Sequence, residues 1–152
     1  MFMLDPQYIL GFVDGEGSFH VAIYKDSHMS SGLKFIPEFH ISQNAASKTV
    51  LYQINSFFKC GYIKQNHSKN SKDSTYVYVV RNRKDLLNSI IPFFRKHHLF
   101  TQKQKDFLLF AKIVEKMENS VHRDIKGAKQ ILQLAYKMNQ QGKYRKIKHV
   151  ID

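Results

Sequence analysis

The sequence predicts an α+β fold of element order α-ββ-α-ββ-α-α-α, in which an αββαββα core forms one four-stranded antiparallel sheet with helices packed on one face. Three observations predict it. Apolar residues recur at helical spacing in five segments and alternate with polar residues in four others. The alternating segments fall into two pairs, each joined by a polar stretch, which is the pattern of hairpins. The chain is 152 residues long with 43% hydrophobic residues and one cysteine, so a single domain over residues 1–152 is expected to bury its core without disulfides or a metal staple.

Taken in order, Asp5 followed by Pro6 reads as an N-cap with proline at the first helical position, opening a helix to about Asp14. From Ser18 to Tyr24 the chain alternates strictly, with Phe19, Val21 and Ile23 against His20, Ala22 and Tyr24. Asp26 to Lys34 is a polar, glycine-containing loop, after which Pro37, Phe39 and Ile41 alternate with Glu38, His40 and Ser42. Between Ser47 and Lys59 the residues Val50, Leu51, Ile54, Phe57 and Phe58 recur at helical spacing, with Ser47 as the expected cap. Gly61 to Asn66 and Thr75 to Arg81 read as the second hairpin, whose tip from His67 to Asp73 is long, polar and basic. Three helices follow: Leu86, Leu87, Ile90 and Ile91 up to a stop at Pro92, then Gln102 to about Lys116, then Ile125 to Met138.

A sheet with helices on one side leaves its other face bare, and that face should bind something. The side chains expected there are His20, Tyr24, Glu38, His40, Ser42, Lys64, Asn66, Thr75 and Arg81, hydrogen-bonding groups of several kinds. Charge indicates the partner: 24 Lys and Arg against 12 Asp and Glu leave a net charge of +12 and a pI near 9.8, which points to a polyanion. In the major groove each base pair shows a distinct pattern of donors and acceptors, and mixed polar residues suit its reading better than uniform lysines. No apolar run approaches the roughly 18 residues of a membrane span. Met1 to Asp5 lacks the basic start of a secretory signal and the Arg- and Ser-rich character of a transit peptide, so the protein is expected to act in the compartment that makes it. Cys60 reads as a small buried residue. His67, His97 and His98 do not form a zinc site, because adjacent histidines cannot both face one ion from a regular element and no H-x₃₋₅-H unit or paired cysteine accompanies them. They are assigned to the surface or to backbone phosphates.

The chemistry concentrates in Ile9-Leu10-Gly11-Phe12-Val13-Asp14-Gly15-Glu16-Gly17. Gly11 and Gly15 lie four residues apart on one helical face and would let a second copy of the same backbone approach closely. Asp14 and Glu16 follow where the helix must end, since Gly15 and Gly17 weaken helix propensity and permit a sharp turn into the next strand. Both carboxylates therefore sit at a junction and not in a core.

This nonamer resembles the signature of the LAGLIDADG homing endonucleases, with Ile9 for the first Leu, Leu10 for Ala, Phe12 and Val13 for Leu-Ile, and Glu16 for the second Asp. Three further patches resemble the same family: Phe39 to Gln43 at the end of the second strand, Ile90 to Phe94 followed by Leu99-Phe100-Thr101-Gln102-Lys103, and Gly127 to Asn139 followed by a basic tail at about 143–152. Together they cover nearly the whole chain. The resemblance implies a site-specific, intron-encoded double-strand DNA endonuclease. It implies Mg²⁺ as cofactor, or Mn²⁺ or Ca²⁺ in its place, held by Glu16 with the backbone carbonyl of Gly15 as a further ligand. Gln43 would order water and Lys103 would be the basic residue of the site, with Thr101 as the alternative register. Asp14 is implied to be structural or interface-forming, with contact to metal left open. One copy of the signature implies a homodimer joined through Gly11, Asp14 and Gly15, with two copies of Glu16 on the axis and a long pseudopalindromic target.

Two other functions of the same fold stay open. One is an RNA maturase, with RNA as partner and Lys143 to His149 as its surface; the other is a non-cleaving DNA-binding regulator. Abundant Lys and Asn and few Ala favour an organelle, chloroplast or mitochondrion, over a bacterial cytoplasm.

Overall fold

Helix α1 (Pro6–Glu16) begins where the sequence places it: the Asp5 carboxylate accepts from the Gln7 N–H at 2.7 Å and Pro6 occupies the first turn. The computed structural model describes residues 2–139 apart from 68, 70, 71 and 73. The helix runs past Asp14, so Gly15 and Glu16 are helical, and it passes into strand β1 (Gly17–Lys25) with no connecting turn. Gly17 permits this by its lack of a side chain. Its backbone is extended (φ −84°, ψ 163°) and its N–H donates to the Val13 carbonyl, so close that a Cβ would stand 2.6 Å from Val13 Cγ1 and 2.8 Å from Val13 O.

Strand β2 (Leu33–Asn44) pairs antiparallel with β1 from Gly17 against Ile41 to Lys25 against Leu33. Helix α2 (Thr49–Phe58) leads to β3 (Tyr62–Gln65) and β4 (Thr75–Val80), and the strand order β1-β2-β4-β3 joins the two hairpins along antiparallel β2 and β4. Ser47 is not the cap of α2. It closes a 3₁₀ turn (Ala45–Ser47) whose cap is Asn44, the side-chain Oδ1 of which accepts from the Ser47 N–H at 3.2 Å, and α2 itself has no side-chain cap.

Beyond β4, Pro92 does not end the helix. The segment runs as α3 (Arg83–Asp85), a π-helical turn (Leu86–Ile90) and α4 (Ile91–Lys96). The wider π turn comes just before the proline, which then sits in the first turn of α4, where its fixed φ suits the helix. Helices α5 (Lys103–Glu118) and α6 (Ile125–Lys137) follow.

The period-two pattern turns Phe19, Val21, Phe35, Phe39 and Ile41 towards the helices, together with Tyr78 and Val80 of β4. Phe19 is the centre of this core, its ring 5.2 to 5.4 Å from those of Phe39, Phe94, Phe107 and Phe110. Each such phenylalanine stabilises the fold by about 1.5–3 kcal/mol through burial, and together they join the sheet to α4 and α5. Ile9, Leu10 and Val13 of α1 enter the same core. The signature helix is thereby held rigidly to the sheet by its inner face. Cys60 is half-buried and free, less enclosed than expected, because it lies in the turn between α2 and β3. No helix of the described residues is long and apolar enough to cross a membrane. The basic tail and residues 68, 70, 71 and 73 of the β3–β4 tip lie outside the described residues.

Candidate functional site

Two helix ends meet at the junction of α1 and β1. The carboxy-terminal end of α1 carries partial negative charge in its free carbonyls, and the amino-terminal end of α5 carries partial positive charge in its free N–H groups. The connecting loop and the first residue of α5 bind the two ends together. Lys103 Nζ donates to the Val13 carbonyl at 3.1 Å and to that of Asp14 at 2.7 Å. The Asp14 carboxylate accepts from the Phe100 N–H at 2.8 Å, the Thr101 N–H at 3.1 Å and the Thr101 hydroxyl at 2.7 Å. Thr101 and Lys103, the two alternatives for this segment, both contact the end of α1. Thr101 secures the carboxylate and Lys103 the carbonyls.

These contacts set the electrostatics. Burial works against ionisation of Asp14, but the hydrogen bonds from Phe100 and Thr101 and the Lys103 charge outweigh it and hold the carboxyl below the usual range. Burial pushes the Lys103 ammonium down, against the pull of Asp14, Glu16 and Asp106. An ammonium has three N–H donors, and two of them are taken by the α1 carbonyls. One remains. Glu16 is exposed and has no ion pair or hydrogen bond among the described residues. The Gly15 carbonyl, next after the two that Lys103 takes, has no side-chain donor there either.

Gln43 lies at the same end of the sheet, two residues beyond Ile41, the partner of Gly17. It is half-buried with no side-chain hydrogen bond among the described residues. A cleft of about 790 Å³ opens beside the junction, lined by Asp14, Ser18, Lys103, Lys105, Asp106 and Asn139 among others. Asp106 and Asn139 were not evident from the sequence. The buried Asp106 carboxylate accepts from the Asn139 N–H at 2.9 Å, while Asn139 Nδ2 donates to the Phe19 carbonyl at 3.0 Å, so the end of α6 is tied to the site. The available signal was the spacing of Lys103 and Asp106, which puts both on one face of a helix.

On α1, Gly11 and Gly15 are exposed, and a Cβ on either would meet nothing within 4 Å. Tyr8 and Phe12 stack beside them, with ring centroids 5.9 Å apart. Asp14, expected with the two glycines, turns its carboxylate into its own chain's loop.

The open sheet face carries the residues that alternation assigned to it. Across the sheet they form rows, Ser42-Val77-Lys64 and His40-Val79-Tyr62, with Thr75 opposite Asn44 and His20 opposite Glu38. His20, Tyr24, Lys64, Asn66 and Arg81 are exposed, and His40, Ser42 and Thr75 are half-buried. Glu38 departs from expectation. It is buried, with one carboxylate oxygen on Arg81 Nη2 and the other 2.7 Å from His40 Nε2, so its oxygens face its own chain more than the open surface. Val77 and Val79, central on the same face, are buried under the side chains around them. Of the histidines, His97 packs on the Phe93 ring at 4.8 Å, whereas His67 and His98 are exposed. No group of three His, Cys, Asp or Glu side chains suited to a metal gathers among the described residues.

Known proteins resemble this chain in sequence and fold. The family model described as LAGLIDADG endonuclease matches residues 9–114. A Neurospora crassa protein named probable intron-encoded endonuclease 2 is 36% identical over 137 residues, which are 90% of this chain and 29% of that protein. DNA endonuclease I-CeuI of Chlamydomonas moewusii is 29% identical over 121 residues, 78% of this chain and 54% of that protein. This chain thus spans about a third to a half of the length of these relatives. Among solved structures, the homing endonuclease I-TnaI matches with a TM-score of 0.83 at 38% identity, over 91% of this chain and 90% of that one. The I-SmaMI LAGLIDADG homing endonuclease bound to cleaved DNA matches with a TM-score of 0.85 at 32% identity, over 95% of this chain and 46% of that one.

Proposed function

The chain belongs to the LAGLIDADG endonuclease family, and on that premise we propose that it is a site-specific, intron-encoded endonuclease that cleaves double-stranded DNA as a homodimer with a divalent cation. The observation that carries this is the junction at the end of α1, where a free Glu16 carboxylate, a tethered Lys103 ammonium and an open glycine face occur together. One chain offers only part of a site. A second copy, packed on the Gly11 and Gly15 face, brings a second Glu16 to the axis.

The donors fit a hard cation. The Glu16 carboxylate and the Gly15 carbonyl are both oxygen ligands, and they stand at the negative end of a helix. When bound there, Mg²⁺, or Mn²⁺ or Ca²⁺ in its place, supplies positive charge at the phosphate and lowers the pKa of water. Lys103 directs its remaining N–H at charge developing on the phosphate, held in position by its two carbonyl bonds. Gln43 orients the attacking water with an amide that has no other partner among the described residues. Asp14 ties the loop down so that Lys103 cannot drift, and takes no part in the chemistry. The net reaction adds water across one P–O bond of each strand: the water oxygen joins phosphorus, and the 3′ oxygen leaves with a proton.

Recognition falls to the open face, where His20, Tyr24, His40, Ser42, Lys64, Asn66, Thr75 and Arg81 meet base edges and phosphates. An organelle genome is the proposed setting. Cleavage of a plasmid library carrying randomised targets, with Mg²⁺, tests the proposal against Glu16→Gln. Recovery of one long, near-palindromic site cut only by the unaltered protein is the expected result. Cutting that survives Glu16→Gln would refute the metal assignment. Selection of duplex or RNA with no cutting would leave a regulator or a maturase instead.

A further inference from the structure

We infer that Glu38 sets DNA sequence specificity without touching DNA, by pinning Arg81 so that its guanidinium reads a guanine at one position in each half-site; the inference rests on the proposed DNA-binding role of the sheet. A carboxylate in the middle of a surface meant for a polyanion needs a reason to be there. Glu38 is in the middle of β2, on the face opposite the helices, and its side chain is only 9% exposed. Each oxygen has its own partner, Oε1 with Arg81 Nη2 and Oε2 with His40 Nε2 at 2.7 Å. The register explains the meeting, because Phe39 pairs with Val80 and the next residues along the two strands are Glu38 and Arg81.

Arg81, by contrast, has 45% of its side chain exposed. A guanidinium has five N–H donors in a rigid planar fork. Glu38 occupies one end of that fork, and the outer donors have no partner among the described residues. Two parallel N–H groups of arginine match O6 and N7 of guanine in the major groove, and this is the commonest specific contact to a base. An unpinned arginine on a four-bond stem would reach phosphates and several bases alike. The ion pair removes that freedom and leaves one direction of approach. It also neutralises Glu38, whose charge would otherwise repel the phosphates. His40 stands against the other carboxylate oxygen, with Nε2 at 2.7 Å, and limits the room in which the carboxylate can swing. Lys64, on the same face at the outer strand, is exposed and has no ion pair among the described residues. It suits a phosphate, where direction matters little.

The test is selection of bound duplex from a randomised library without a cleaving metal, using the whole chain, followed by Kd measurements on single-base variants of the selected site. Arg81→Ala should abolish the preference for guanine at one base pair per half-site, about a tenfold loss of discrimination. Glu38→Ala should flatten the same position and leave the others sharp. The double substitution should do no more than Arg81→Ala alone. Lys64→Ala should weaken binding evenly and leave the preferences intact. Glu38→Gln, which keeps the shape and one acceptor oxygen, guards against a failure to fold and should lose part of the same preference. If Glu38 and Arg81 variants alter different positions, or Glu38 variants only lower affinity evenly, the inference is wrong while DNA recognition stands. If the unaltered protein selects no sequence at all, the proposed function fails and the inference with it.

Discussion

Replacing Gly11 by alanine should stabilise the single chain and weaken the pair. Gly11 is inside α1 and a Cβ there meets nothing within 4 Å, so the alanine enters without strain. Glycine in a helix interior costs about 1 kcal/mol relative to alanine, which for a chain of this size corresponds to a rise in Tm of about 2–4 °C. In the proposed dimer the same methyl would point at the partner helix. Overpacking a close contact costs about 1–3 kcal/mol per site, and two-fold symmetry makes it two sites, so association should weaken by about thirtyfold or more. Thermal unfolding at low protein concentration measures the first effect and sedimentation equilibrium the second. Gly17→Ala is the control within the same motif. Its Cβ would lie 2.6 Å from Val13 Cγ1 and 2.8 Å from the Val13 carbonyl, backbone that cannot retreat, so it should destabilise the single chain by about 2–3 kcal/mol. An unchanged dimerisation constant for Gly11→Ala would refute the packing role of the α1 face, and a neutral Gly17→Ala would refute the close-approach argument.

Asp14→Asn should lower stability at neutral pH by about 1 kcal/mol, since hydrogen bonds to a charged but solvent-screened group are weakened. The folded carboxyl titrates below its ordinary 3.8, so its contribution is fully present above that value and disappears as pH falls through the lower folded value. Acid unfolding curves of the two proteins should accordingly converge at low pH; parallel curves would mean that Asp14 is not the group responsible. Lys103→Met should reduce cleavage by about 10²–10³-fold, the usual loss for a preorganised charge donor, with DNA affinity little changed in a gel-shift assay. Unimpaired cleavage would remove Lys103 from the reaction.

Legibility differed from element to element for physical reasons. β1 and β2 were readable to within a few residues because one face is buried and the other is not, so the period of two is written along the chain. α1 was readable at its start, where Asp5 caps it locally, and to within two residues at its end, which is fixed where Gly17 meets Val13 once the strand has turned back on the helix. Pro92 looked like a stop because proline usually is one; the π turn that accommodates it depends on the packing of Leu86, Ile90 and Phe94 into the core. Glu38 alternated correctly onto the open face. Its burial could not be read, since that depends on Arg81 arriving from another strand.

The sequence by itself determined the elements, the facing of the strands, and the position of Asp14 and Glu16 at a helix end beside an open pair of glycines. All of these follow from the order of residues within a few turns or a single strand. Only the tertiary structure decided that Asp14 is engaged by Phe100 and Thr101, that Lys103 grips the carbonyls of the same helix end, and that Glu38 is paired rather than free. The Asp14 and Lys103 contacts join residues 86 to 90 positions apart. No periodicity extends across that separation, and it is the packing of α5 on β1 through Phe19, Phe107 and Phe110 that brings the two ends of the site together.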